Sequence, residues 1–184
     1  MKPTPGYWFL LFVSLWIAAP FEQARSIPSP IEKENLHGVR PITVAVSPLP
    51  DWLDHRGITR EDLREHIFGT LHAAGIDVVP TGNGRDAMLT FTVSGTMVPL
   101  RTREGTYRVY VYTSNLVLLQ RVRRLADNRV SLANTWSYEK GGTNGSSENA
   151  VVSIKKTSDE MVKQFIEDYN SENGSASSNN KSTP

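Results

Sequence analysis

Cysteine is absent from all 184 residues of this chain. Without thiols the protein has no disulfide, no thiolate metal site, no cysteine nucleophile and no lipid-modified cysteine of the kind that anchors bacterial lipoproteins. A strong excess of one charge is missing too, because 20 Lys and Arg stand against 19 Asp and Glu. This balance gives no general reason to expect a nucleic acid or an anionic membrane as partner.

A long hydrophobic run is also missing. The most apolar stretch covers residues 7–19 only, which is shorter than the roughly 20 residues that a helix needs to cross a bilayer. Lys2 precedes this stretch, and Ala24 and Ser26 place small residues where a signal peptidase reads them. The pattern is typical of a secretory signal peptide over residues 1–26. We therefore predict a periplasmic or secreted protein that begins at Ile27 and keeps no stable membrane anchor after cleavage.

Composition divides the rest of the chain into three parts. Residues 27–41 contain prolines and scattered charges without periodicity, and we interpret them as a linker. Residues 42–170 show regular hydrophobic patterns and are predicted to form a single domain. Residues 171–184 are rich in Ser and Asn and poor in apolar side chains, which predicts a disordered tail.

The pattern within residues 42–170 predicts an α+β fold. A helix is predicted over 59–74, because Thr59 is a good N-cap, Asp62 completes a capping box and Gly75 suits a left-handed C-terminal residue. A second helix is predicted over 150–170. One strand is predicted before the first helix and four strands between the two helices, so the order is β-α-β-β-β-β-α. We expect a mostly antiparallel sheet of about five strands with two helices on one face.

Two of the predicted strands carry further expectations. The run 106–123 is too long for an ordinary strand, so either a bulge bends it near Ser114 and Asn115 or its hairpin projects past the core. In the run 129–138, alternation places Val130, Leu132, Trp136 and Tyr138 on one side. We therefore predict that Trp136 lies in the core beneath the second helix.

One polar cluster is the best candidate for catalysis. Asp51, Asp54 and His55 follow the first strand, and two carboxylates beside an imidazole suit acid–base work or a hard metal. The same residues are typical of an ordinary turn. Asp62 and His66 have the spacing of helical metal ligands, but the HExxH context is absent. No other enzymatic motif is present, and we expect no cofactor and no metal site.

The long strand is the best candidate for binding, because both of its faces are apolar. Tyr107, Val109 and Val111 alternate with Tyr110 and Tyr112, so covering one face leaves the other exposed. A basic group, formed by Arg121, Arg123 and Arg124, crowds the next turn. These arginines either bind an anionic group or keep an exposed strand edge soluble. No aromatic residue interleaves them, which disfavours nucleic acid.

Several short motifs carry a family resemblance. They are segments 63–64 and 71–76 in and after the first helix, Thr135-Trp136 near the end of a strand, and the end of the second helix at 161–169 with Asn173 after it. These residues resemble a group of uncharacterised exported bacterial proteins. The order of elements is also similar to small periplasmic domains of envelope machinery, such as the N-terminal domain of TolB and the lipoprotein LptE. This resemblance implies an envelope location and assigns no functional residue.

Two hypotheses follow. The first is an exported, non-catalytic domain of the bacterial envelope that binds a protein partner or self-associates through its sheet. The alternative is a hydrolase or metal-dependent enzyme that uses the cluster of Asp51, Asp54 and His55.

Overall fold

The computed structural model describes residues 25–53, 56–80 and 87–174, which form six strands and three helices. The strands are β1 (Arg25–Ser26), β2 (Ile42–Val46), β3 (Val78–Val79), β4 (Ala87–Thr102), β5 (Gly105–Arg123) and β6 (Val130–Asn144). The helices are α1 (Pro30–Glu34), α2 (Arg60–Ala73) and α3 (Ser147–Gly174). From β2 onward the elements follow the predicted order. Most of the predicted signal peptide (residues 1–24) and the last ten residues lie outside the described ranges.

All six strands belong to one mixed sheet in the order β1-β6-β5-β4-β2-β3. The pairs of β4 with β5, β5 with β6 and β1 with β6 are antiparallel, whereas β2 is parallel to both β3 and β4. Helices α2 and α3 pack on the sheet from the same side, where the buried side chains of the strands and helices form one cluster. The predicted fold class, α+β with a mostly antiparallel sheet, is confirmed.

Helix α2 begins and ends as its sequence indicates. The Thr59 hydroxyl accepts a hydrogen bond from the Asp62 amide at 3.1 Å, and the Asp62 carboxylate accepts one from the Thr59 amide at 3.2 Å. At the other end Gly75 has a φ of 78°, and the Ile76 amide donates to the Leu71 carbonyl at 3.1 Å. This is a Schellman motif, whose left-handed position favours glycine.

Trp136 is fully buried beneath α3, as predicted. The edge of its ring meets the Phe165 ring at a centroid distance of 5.0 Å. Its indole Nε1 donates to the Asp168 carboxylate at 3.1 Å. Asp168 is itself buried, and it also accepts a hydrogen bond from the Gln164 amide and forms an ion pair with Lys33. The buried carboxylate is therefore compensated, as burial of a charge requires.

The predicted alternation of β6 is wrong at its first half. Leu118 of β5 pairs with Trp136, but the next residue, Leu119, pairs with Asn134, so Thr135 is an extra residue in β6. This β-bulge reverses the side-chain alternation before it. Val130 and Leu132 consequently lie on the opposite face from Trp136 and are exposed. The strand pairs regularly at Ser114 and Asn115, so the length of β5 reflects hairpins that project past the core.

Residues 27–41, which the sequence predicts to be a linker, pack against the domain. Ser29 and Glu32 form a capping box and Pro30 occupies the first turn of α1, a position that proline favours. Leu36 and Val39 join the core cluster. Pro30 therefore marks a helix start and not an unstructured segment.

The C-terminal end of α3 holds this N-terminal segment in place. The Tyr169 hydroxyl donates to the Val39 carbonyl at 3.0 Å, and the Asn173 amide donates to the Leu36 carbonyl at 3.0 Å. Helix α3 extends to Gly174, so the first residues of the predicted disordered tail are helical. Of the described helices, none is long and apolar enough to span a membrane.

Candidate interaction surface on the projecting ribbon

The hairpin of β4 and β5 extends beyond its neighbours in the sheet. Strand β2 pairs with β4 only from Ala87 to Phe91, and β6 pairs with β5 only from Tyr110 onward. The end of the hairpin, residues 98–102 paired with 105–109, forms a two-stranded ribbon that we call the projecting ribbon. Among the described residues no third strand pairs with either of its edges. Unpaired strand edges invite the addition of another strand.

One face of the projecting ribbon is apolar and open to solvent. Cross-strand pairs join Val98 to Val109, Leu100 to Tyr107 and Thr96 to Val111, all on the side away from the helices. The exposed fractions are 42% for Val98, 51% for Leu100, 50% for Tyr107 and 41% for Val111. We call Val98, Leu100, Tyr107, Val109 and Val111 the apolar ribbon face, in which Val111 lies at the base of the ribbon, where β5 still pairs with β6. Of the predicted binding residues, Tyr107, Val109 and Val111 therefore lie together in one patch.

Tyr110 and Tyr112 do not belong to that patch. Strand alternation turns both rings toward the helix side, where they are buried. The Tyr110 ring meets Trp52 at a centroid distance of 5.1 Å, and the Tyr112 hydroxyl accepts a hydrogen bond from Asn144 at 3.2 Å. Their placement among the candidate binding residues is corrected: they anchor the base of the ribbon.

Gly95 allows that anchoring. A Cβ atom built on Gly95 would lie 2.5 Å from the Val111 carbonyl oxygen and 2.8 Å from the Tyr112 Cβ. The backbone of β5 therefore approaches β4 more closely than any side chain permits, so glycine at this position has a packing reason.

The predicted arginine group lies at the other end of β5. Arg121 and Arg123 are exposed and lie on the outer face of the sheet, opposite Leu132 and Val130. Arg124 forms an ion pair with Asp127 across the turn, and Arg129 approaches the same carboxylate at 3.7 Å. The projecting ribbon and the arginine group are thus at opposite ends of a strand that spans 19 residues, roughly 60 Å.

The candidate catalytic residues are only partly described. Asp51 is exposed in a turn after β2, whereas Asp54 and His55 lie outside the described residues. Within the described ranges no three His, Asp or Glu side chains gather as metal ligands. Asp62 caps its own helix, and hydrogen bonds from the Thr59 side chain and backbone lower the pKa of its carboxyl below the ordinary value.

His66 has a different partner from the one that helical spacing indicated. Its Nε2 lies 2.6 Å from the Asp159 carboxylate on α3, and both side chains are exposed. They line a shallow groove of about 260 Å³ between the two long helices, together with Ile58 and Lys155. The geometry is that of a surface contact between helices.

Sequence reasoning missed Val98 and Leu100 as members of the surface. The signal lies in the polar residues 101–105, which suit a hairpin turn. Antiparallel pairing across that turn places Val98 opposite Val109 and Leu100 opposite Tyr107.

Comparisons with known proteins identify no family for this fold and surface. No protein-family model and no curated protein sequence matches the chain. Among solved structures, the PelC dodecamer from Paraburkholderia phytofirmans is similar at a TM-score of 0.40 and 14% sequence identity. A point variant of the same protein gives a TM-score of 0.40 and 16% identity. Each match covers 80% of this chain and 95% of the PelC chain. A likeness at this TM-score supports no inference about function or assembly.

Proposed function

We propose that this chain is an exported, non-catalytic α+β protein that acts by protein–protein contact through the apolar ribbon face. The observation that carries the proposal is the exposed ladder of Val98, Leu100, Tyr107 and Val111. Export is supported by the signal-peptide pattern of residues 1–26, and the non-catalytic role by the lack of an enzymatic motif in the sequence.

The apolar ribbon face has no function in the core. The helices cover the opposite side of the sheet, and the ribbon extends past both neighbouring strands. Within residues 25–53, 56–80 and 87–174 nothing covers the apolar side chains at these positions. Covering them would contribute about 25 cal/mol for each Å² of apolar surface removed from water. A contiguous patch of this kind usually marks a contact site.

A second copy of this chain is the occupant that the ribbon geometry favours. The ribbon offers an apolar face and two unpaired edges, and each of these features can pair with the same feature of a second copy. A twofold arrangement then lets the same residues serve in both copies. A different protein that adds a strand to the ribbon is the other form of the same function.

The test measures association by light scattering over a concentration series of the purified exported protein. We expect oligomers that Leu100→Asp dissociates. Loss of one central apolar contact costs about 2 kcal/mol of binding free energy, which raises the dissociation constant about thirtyfold. Leu132→Asp is the matched control, because Leu132 is also an exposed leucine but lies at the far end of the same sheet face.

A heterologous partner is tested in the same variants. An envelope extract is passed over immobilised protein, and a specific partner must be lost with Leu100→Asp and retained with Leu132→Asp. A protein that stays monomeric at high concentration and captures nothing in a Leu100-dependent way contradicts the proposed function.

Export has its own test. N-terminal sequencing of protein recovered from the periplasm or medium is expected to begin at Ile27. Such cleavage would also remove β1, which pairs with Glu139 and Lys140 at the edge of β6. Recovery of the chain with Met1 intact in a membrane fraction contradicts this location.

A further inference from the structure

The hairpin between β5 and β6 projects from the sheet at the end opposite the projecting ribbon. Pairing of β4 with β5 stops at Leu119, so residues 121–123 and 130–132 pair only with each other among the described strands. We call residues 121–132 the arginine hairpin. It shares no residue with the apolar ribbon face, and the two surfaces can be tested separately.

Positive charge is concentrated in the arginine hairpin. It carries four arginines and a single aspartate, although the whole chain is nearly balanced. Asp127 is already occupied by Arg124 and Arg129. Arg121 and Arg123 form no ion pair with a described acidic side chain and are exposed. Two free guanidinium groups therefore face solvent beside the outer face of the sheet.

Exposed apolar side chains accompany these arginines. Leu125, in the turn, has an exposed fraction of 102%, which means that it touches almost nothing in its own chain. The bulge at Thr135 turns Leu132 and Val130 to the outer face, where they pair with Arg121 and Arg123. Polar residues or glycine normally occupy such turns. The hairpin thus combines a leucine at its tip with arginines and aliphatic groups behind it.

We propose that the arginine hairpin docks reversibly on an anionic lipid surface. In this arrangement Arg121 and Arg123 bind the phosphates of the headgroups, and Leu125 inserts at the boundary with the acyl chains. Basic groups with apolar side chains beside them are the composition of elements that lie in the membrane interface. A soluble polyanion uses the positive charge but not the leucine, and the hairpin lacks the aromatic residues on which nucleic-acid bases stack.

The expected binding is weak and depends on salt. Each basic residue near an anionic surface strengthens binding about fivefold, and the effect falls off within a Debye length. Replacement of both free arginines by glutamate therefore lowers the vesicle partition coefficient by at least about 25-fold. Binding should also fall steeply as salt is raised.

The absence of cysteine makes a site-specific experiment possible. Leu125→Cys in the purified exported protein is labelled with an environment-sensitive nitrobenzoxadiazole dye. Val152→Cys is labelled in the same way as a control, because Val152 is an exposed aliphatic residue on α3. Each protein is titrated with vesicles of phosphatidylglycerol and with vesicles of phosphatidylcholine.

We expect a blue shift and a rise in intensity for the dye at position 125 with phosphatidylglycerol only, and no change at position 152. Arg121→Glu with Arg123→Glu should raise the lipid concentration needed for the response by at least about 25-fold. Arg101→Glu with Arg103→Glu removes the same charge at the other hairpin tip and should preserve it. This control separates a local site from the effect of net charge.

Three results would overturn the proposal. One is the lack of any dye response with anionic vesicles. Another is vesicle binding that leaves the dye at position 125 unchanged, which places the contact elsewhere. The last is binding to soluble heparin without binding to vesicles, which assigns the hairpin to a polyanion. None of these results bears on oligomerisation through Leu100, so this proposal and the proposed function fail separately.

Discussion

Replacement of Trp136 by alanine tests the assigned core most directly. The ring is fully buried, and it contacts Phe165 edge-on. Truncation of a buried tryptophan removes its transfer free energy and leaves a cavity, which together cost about 3–5 kcal/mol. The change also removes the donor to Asp168. Because a domain of this size is stable by only about 5–15 kcal/mol, Trp136→Ala should lose a large part of its folding free energy.

Urea unfolding followed by far-ultraviolet circular dichroism measures that loss as a shift of the midpoint at constant m-value. Trp136→Phe retains an aromatic ring, deletes the indole N–H and leaves a smaller cavity than alanine does. We expect Trp136→Phe to cost about 1–3 kcal/mol, since one oxygen of a buried carboxylate loses its partner. Lys33 and Gln164 still bind Asp168, which limits the cost.

Leu132→Ala is the control on the same strand. The bulge at Thr135 places Leu132 on the exposed face, so its truncation should change stability by less than about 0.5 kcal/mol. A Trp136→Ala variant that loses less than about 1 kcal/mol would refute the assigned core. Equal losses at Trp136 and Leu132 would refute the bulge, because they would then share a face.

Further expectations concern two glycines and one carboxylate. Gly95→Ala should destabilise the protein by about 1–3 kcal/mol in the same urea assay, because the added Cβ meets the backbone of β5. Gly145→Ala should be nearly neutral, because nothing lies within 4 Å of a Cβ at that position. Equal effects would contradict the close approach. Gly75→Val should lower the free energy of unfolding by more than about 1 kcal/mol, because the φ of 78° at this position disfavours a β-branched residue. Its control, Gly69→Ala in the exposed interior of α2, should stabilise the protein. An unchanged urea midpoint for Gly75→Val would exclude the left-handed cap. Burial raises the pKa of Glu32, but hydrogen bonds from the Ser29 and Ser137 groups outweigh it and hold the folded-state pKa below its ordinary 4.5. The stability from this group is therefore present above pH 4.5 and lost as pH falls through the lowered pKa, so Glu32→Gln should flatten the acid limb of a pH–stability curve.

The local signals in the sequence were reliable where a short stretch determines its own structure. Helix α2 starts at the predicted Thr59 cap and ends at the predicted Gly75, because capping boxes and Schellman motifs depend on a few adjacent residues. The local signal at Pro30 was ambiguous and led to the wrong prediction of a linker. Proline suits both a linker and the first turn of a helix, and only the packing of Leu36 and Val39 decides between them.

The candidate surface was predictable only in part. The apolar residues of β5 were recognised, but which half of them is exposed depends on the side that the helices cover. Tyr110 and Tyr112 are buried because α2, α3 and Trp52 lie on their side. The arginine group was recognised from composition alone. Its association with an exposed apolar face depends on Thr135, since a single extra residue reverses the alternation of the strand that precedes it.

The amino-acid sequence by itself determined the kinds and order of the elements from β2 onward and the caps of α2. These features depend on hydrophobic periodicity and on contacts between near neighbours in the chain. Only the tertiary structure decided the face of β5 that remains open, the bulge that exposes Val130 and Leu132, and the two projecting hairpins. Those features depend on register between strands far apart in sequence, and a shift of one residue in that register moves every side chain to the other face.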